Sequence, residues 1–167
     1  MGVVGSDIDG VIAPNPWITR YWPGSGDPIV QKPLRAFPAS WDYIFRRPYP
    51  KAIEWVKERQ AAGDKILLIS GIYIFAWPFI WLWLKLWKFP HDGLHLRLRG
   101  SQPEFKAKAV FKLGCTMFID DRKDVIAAIA KQFLLDGFKE VNSYQNELGY
   151  VVFIGDINNR NKGVLAQ

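Results

Sequence analysis

Cysteine is almost absent from this chain. Cys115 stands alone in 167 residues, so no intramolecular disulfide can form, and its apolar setting suits a core position better than a nucleophile. Histidine is nearly as scarce: His91 and His95 have no third His to accompany them, which makes them poor metal ligands. At the amino end no basic segment leads into an apolar stretch with a cleavage site, so the expected compartment is the reducing cytoplasm. The apolar stretch Ile72 to Leu84 holds 13 residues and is interrupted by Pro78, whereas spanning a bilayer takes about 20, so no transmembrane segment is expected. Acidic residues are also in deficit, 16 against 22 Lys and Arg. The resulting net charge of +6 and pI near 9.5 dispose the chain toward anionic substrates or partners.

Apolar residues, by contrast, are plentiful at 49%, and 167 residues suffice for one substantial core, so a single domain over 1–167 is expected. Apolar runs near 3–8, 65–70, 94–98 and 116–120 read as strands, with a further one near 138–142 or 150–154. Helical patterns alternate with them. Lys51 to Ala62 carries Ala52, Ile53, Trp55 and Val56 at helical spacing and stops at Gly63. Strand, helix, strand in that rhythm implies right-handed crossovers and a mainly parallel sheet, that is, an α/β fold.

Three of these runs end in chemistry. The first leads into Asp7-Ile8-Asp9-Gly10, two carboxylates at i and i+2 where Gly10 lets the chain curl into a loop. An Asp carboxylate is a competent nucleophile toward phosphorus when a divalent cation neutralises the approaching anions. The second, Lys65 to Gly71, delivers the Ser70 hydroxyl, which can donate to a phosphoryl oxygen. The third, Thr116 to Asp121, delivers the paired carboxylates Asp120 and Asp121, suited to magnesium. In open parallel sheets the ligand crevice lies at the carboxyl ends of the strands, so all three would meet there.

On these motifs the chain resembles the haloacid dehalogenase superfamily of phosphotransferases, over roughly positions 1–135. That resemblance implies a Rossmann-like three-layer fold with a short cap or flap after the first strand, and a magnesium-dependent phosphatase. It implies further that Asp7 is the nucleophile and Asp9 the general acid and base, and that Ser70 positions the phosphate. Asp120, with Asp121 beside it, would bind Mg2+ together with Asp7 and the Asp9 backbone carbonyl. A carboxyl at Asp9 resembles the phosphatase branch, where it protonates the leaving alkoxide and later deprotonates the hydrolytic water. The resemblance also calls for a phosphate-binding Lys. Between Pro103 and Lys112, Lys106 is preferred, because Pro103 suits a first helical turn; Lys108 comes second, and Lys112 fits a solvated face.

Two features depart from the pattern. In nucleic-acid end-processing relatives an Arg often follows the Ser-Gly of the second motif, and here Ile72 stands in that place. Near the end, Gly155-Asp156 imitates the acidic motif but ranks below Asp120, because Asp120 follows the Lys-bearing segment and precedes a good helix start.

Two segments are unusual. Positions 13–50 hold eight of the eleven prolines and eight aromatics, and read as an ordered flap or minimal cap. There Trp17, Tyr21, Trp22, Trp41 and Tyr43 would stack on a base while Arg20, Arg35, Arg46 and Arg47 meet phosphates, or else the aromatics simply anchor a loop-rich segment. Ile72 to Phe89 contains four tryptophans, and Pro78 is expected to open a helix running to about Phe89. A helix apolar all round is buried on several sides or covered by a partner. A homodimer is favoured here over contact with lipid.

The expected function is a magnesium-dependent phosphomonoester hydrolase acting through an aspartyl-phosphate on nucleotides or nucleic-acid phosphate ends. The motifs resemble those of deoxyribonucleotidases and of polynucleotide kinase phosphatase domains. The competing expectation is a catalytically weak nucleic-acid or protein binding module. Transfer to an acceptor other than water would use the same residues.

Overall fold

A computed structural model of the chain describes residues 1–15, 41–135, 141–146 and 148–154. The apolar run after Met1 forms β1 (Val3–Ser6). After the single turn α1 (Asp42–Phe45) come α2 (Pro50–Ala61) and β2 (Lys65–Tyr73), then a 3-10 turn (Ile74–Ala76) leading into α3 (Trp77–Leu86). The chain continues through β3 (Gly93–Arg97), α4 (Gln102–Lys112), β4 (Met117–Asp120) and α5 (Lys123–Leu135), and closes the described part with β5 (Val141–Asn146) and β6 (Gly149–Ile154).

The six strands form one sheet in the order β3-β2-β1-β4-β6-β5. β3, β2, β1 and β4 run parallel, with Gly5 facing Leu67 on one side and Phe118 on the other. Parallel strands are buried on both faces, which is why β1, β2 and β4 are apolar without alternation. Where one late strand is expected there are two. β6 pairs antiparallel with β4 and β5 antiparallel with β6, because the short link between them permits only a hairpin. Gly149 is required there: its φ is +150°, and a Cβ would stand 2.7 Å from the Asp120 carbonyl oxygen.

Two cores cover the two faces. Val4, Leu68 and Ile119 pack with Val56 of α2 and with Ile80 and Trp83 of α3. On the other face, Ile69, Phe118 and Val152 pack with Val110 of α4 and with Val125 and Ile129 of α5. The result is a Rossmann-like three-layer α/β arrangement. The order reverses between β1 and β4, the topological switch point at which ligands bind in such sheets.

β2 runs three residues beyond its expected end, because Ile72 is still packed against the first core; the pairing with β3 slips between Ser70 and Tyr73. α3 has two faces. Phe79, Ile80, Trp83 and Leu84 turn inward, whereas Trp77, Trp81, Leu82 and Leu86 are exposed, with the Trp77 and Trp81 rings stacked 6.1 Å apart. It ends at Leu86, short of Phe89, because the Phe89 amide returns to the Leu84 carbonyl. No described helix is long and apolar enough to cross a membrane.

Candidate active site

β1 delivers Asp7 to the switch point. The Asp7 amide donates to the Ile119 carbonyl of β4 at 2.9 Å, which ties the strand end to its neighbour before the chain turns. The turn is held by donation from Gly10 N to Ala13 O at 2.8 Å and from Ile12 N to Ile8 O at 3.0 Å. Gly10 has φ +78°, and a Cβ there would fall on the Asp121 carboxylate. Glycine thus serves twice, allowing the left-handed turn and letting Asp121 close in.

At the centre stands Lys106. α4 begins with Ser101 as its cap, whose hydroxyl accepts from the Glu104 amide, and one turn later it points Lys106 inward beside Ala107 and Val110. The Lys106 ammonium donates to Asp7 Oδ2 at 2.7 Å and to Asp120 Oδ2 at 2.6 Å. All three residues are buried, at 1%, 4% and 0% exposure respectively. Lys108 instead lies on the surface, paired with Glu104 at 2.7 Å. Of the two lysines, the structure brings Lys106 to the carboxylates.

Burial pushes the Asp7 carboxyl up to about 8, with Lys106 pulling it down and Asp120 and Asp9 pushing it further up. Asp120 is raised for the same leading reason, against the pull of Lys106. Burial works against the Lys106 ammonium, but attraction to Asp7 and Asp120 prevails and holds its pKa above the ordinary lysine value.

Asp7, Asp120 and Asp121 each offer a carboxylate oxygen, and the three oxygens lie within 4.8 Å of one another. Asp7 Oδ1 is buried with no hydrogen-bond partner among the described residues. Three carboxylates against one ammonium leave an excess of negative charge, and hard oxygens in such a set suit a magnesium ion. The donor set therefore fits the metal that the motifs imply. Asp121 is steadied by Asn15, whose amide donates to Asp121 Oδ2 at 3.2 Å, and Asp120 Oδ1 accepts from the Arg122 amide at 3.0 Å.

Asp9 stands outside this cluster and has its own grip. Tyr43 Oη donates to Asp9 Oδ2 at 2.5 Å, and Arg46 Nη1 donates to Asp9 Oδ1 at 2.7 Å and to the Pro14 carbonyl at 2.6 Å. Tyr43 lies in α1 and Arg46, three residues on, follows its last residue. Burial and then the Asp9 charge hold the Tyr43 hydroxyl well above its usual pKa, so it remains a donor. The grip is braced from behind: the buried indole of Trp83 donates to the Arg46 carbonyl at 2.6 Å and meets the Tyr43 ring edge-on at 6.3 Å.

Of the two readings of Tyr43, the packing anchor holds: it is buried against Trp83 and offers no surface for a base. Arg46, expected to meet a phosphate, is instead bonded to Asp9. Trp17, Tyr21, Trp22, Arg20, Arg35 and Asp156 lie outside the described residues. The spacing Tyr-x-x-Arg within a basic segment was the available sign of the grip, but nothing local tied it to Asp9.

Ser70 ends at the same edge, buried, its Oγ accepting from the Ile72 amide at 3.4 Å, which leaves the hydroxyl proton to donate. His91 Nδ1 lies 2.9 Å from the Phe89 carbonyl, and neither histidine joins an acidic or thiol cluster among the described residues.

The sequence matches no known family and no curated protein. Among solved structures, two of the Pnkp1/Rnl/Hen1 complex are similar in fold, one of them described as an RNA repair complex. Each is 17% identical, with TM-scores of 0.55 and 0.54, over 77% and 74% of this chain. This chain spans about two fifths of the matched chains, 39% and 40% of their length. The likeness is one of fold.

Proposed function

We propose that this protein is a phosphomonoester hydrolase of the haloacid dehalogenase type, acting on nucleotides or nucleic-acid phosphate ends through an aspartyl-phosphate. The observation that carries the reading is Lys106 bonded to both Asp7 and Asp120 at the switch point, with Ser70 at the same edge. The fold likeness to a component of an RNA repair complex supports a nucleic-acid substrate.

Asp7 Oδ1, the carboxylate oxygen with no partner, attacks phosphorus, and the bond from phosphorus to the ester oxygen breaks. Asp9 gives its proton to the departing alkoxide, then takes one from the water that attacks the aspartyl-phosphate, releasing inorganic phosphate and restoring Asp7. Lys106 and the Ser70 hydroxyl hold the phosphoryl oxygens as charge gathers on them. Asp7, Asp120, Asp121 and the Asp9 carbonyl would hold a magnesium ion, which would supply charge neutralisation there. Tyr43 and Arg46 keep the Asp9 carboxyl aimed.

The test is phosphate release from mononucleotides, sugar phosphates and 3′- or 5′-phosphorylated oligonucleotides, with and without magnesium, using Asp7→Asn as the blank. Turnover in one class, lost in the blank and on chelation, is the expected result. Silence across the panel, with oligonucleotide binding retained, would make this a binding module and end the hydrolase reading.

A further inference from the structure

Arg97 closes β3 at the edge of the sheet where Ser70, Asp7 and Asp120 end. It is 2% exposed, yet no acidic side chain among the described residues pairs with it. Nη1 donates to the Gly100 carbonyl at 2.8 Å, and the guanidinium lies 4.1 Å from the centre of the Tyr73 ring. Nε is buried with no partner among the described residues. Gly100 thus occupies one corner of the fork and leaves the Nε–Nη2 edge, the edge that binds two oxygens of a phosphate side by side.

The second charge acting on Arg97 has the same sign. Burial lowers the Arg97 pKa, Tyr73 offsets part of that, and Arg122 lowers it again. Arg122 is oriented by Gln102 at 2.8 Å and by Asp124. Gln102 in turn packs where a Cβ on Gly71 would stand, so the cluster adjoins the residue after Ser70. A buried cation is ordinarily paired, and stacking on Tyr73 with one carbonyl bond is partial compensation. Arg122 is already paired with Asp124, so among the described residues the buried cation left without an acid is Arg97, and such a cation suits an anion.

Leu96 is the strand partner of Ser70, and Arg97 pairs with Tyr73 beyond the slip. Strand spacing therefore sets the Arg97 backbone about 6 Å from that of Ser70. We infer that Arg97 forms an anion subsite for a substrate phosphate other than the one Asp7 attacks, which selects a nucleic-acid end over a mononucleotide. Its place relative to the attacked phosphate rests on the hydrolase reading; the anion site itself rests on Arg97.

The experiment uses Asp7→Asn protein, titrated with a dye-labelled hexanucleotide bearing a terminal phosphate and, by calorimetry, with the mononucleotide. Adding Arg97→Gln is expected to weaken the hexanucleotide about 10- to 100-fold and to lower its salt slope by about one. The mononucleotide should change by less than about threefold, and Arg97→Lys, which keeps the charge without the fork, should fall between. Equal weakening of both ligands would assign the guanidinium to the attacked phosphate and overturn the second subsite. No change in either would overturn the anion site.

If Arg97→Gln does not fold, thermal melts of the unsubstituted protein decide instead. Pyrophosphate should raise the melting temperature more than phosphate at equal concentration, and parity would overturn the inference. Phosphate release by the unsubstituted protein is followed in parallel. Arg97-dependent binding without turnover would sink the hydrolase reading and keep the anion site; turnover with Arg97-independent binding would do the reverse.

Discussion

Replacing Lys106 with methionine keeps most of the buried stem and deletes the ammonium that bridges Asp7 and Asp120. Breaking a buried charge network by removing one partner costs about 3–5 kcal/mol, because the charges left behind are uncompensated. Here the carboxylates have an escape, which is to take up protons. Burial already pushes Asp7 up to about 8 while Lys106 pulls it down, and Asp120 is raised in the same way, so both rise further without the lysine. A carboxyl whose folded pKa lies above its unfolded value near 3.9 adds stability below that value and loses it as pH climbs toward the folded pKa. The penalty of Lys106→Met should therefore be smaller near pH 5.5, where the Asp7 carboxyl stays protonated. Above the wild-type Asp7 value of about 8, where that carboxyl ionises only with Lys106 beside it, the penalty should grow toward the full cost, a fall of roughly 6–20 °C in melting temperature for a domain of this size. Urea titrations and thermal melts of both proteins at pH 5.5 and about pH 9.5, with chelator present, read the difference directly. A loss equal at the two pH values, or larger at pH 5.5, would refute the coupling of Lys106 to these two carboxylates.

Tyr43→Phe removes the bond to Asp9 Oδ2, so it should slow hydrolysis of an alkyl phosphate, whose alkoxide needs a proton, more than that of p-nitrophenyl phosphate, whose leaving group does not; equal effects on the two would argue against Tyr43 steering Asp9. Asp121→Asn should weaken magnesium binding, measured by calorimetry, by at least the roughly 10- to 100-fold typical of an outer-shell change, with little shift in the chelated melting temperature because Asp121 is only half-buried. Cys115 is buried and its thiol is pushed up to about 12, so it should resist iodoacetamide at pH 8 in the native protein and react once urea exposes it. A second copy covering the outward face of α3 predicts a dimer in sedimentation that Trp81→Glu dissociates; a wild type monomeric at every concentration would retire that dimer.

Much of the placement was legible because it follows from local pattern. Strands buried on both faces are continuous apolar runs, so β1, β2 and β4 could be marked, and with them the residues at their carboxyl ends, Asp7, Ser70 and Asp120. The preference for Lys106 over Lys108 followed from the helix start at Pro103, and the inward face bearing Ala107 and Val110 settled which lysine meets the carboxylates. Of the two positions open for a late strand, 150–154 lies within β6 (Gly149–Ile154), whereas 138–142 only touches β5 (Val141–Asn146) at its first two residues, 138–140 being outside the described residues. The end of α3 at Leu86 is not legible in the sequence, because it depends on a backbone bond from Phe89 to Leu84 that no composition signals.

The order of apolar runs, their polar ends and the glycine at the first loop belong to the sequence alone, because backbone geometry converts period and sterics into strands, helices and turns without distant help. The grip of Tyr43 and Arg46 on Asp9, 34 and 37 residues away along the chain, was decided by the packing of α1 against α3, where Trp83 holds the turn in place. The burial of Arg97 beside Tyr73 was likewise decided by the slip between β2 and β3. These pairings depend on which surfaces the fold brings into contact, and charge and burial acquire their meaning only there.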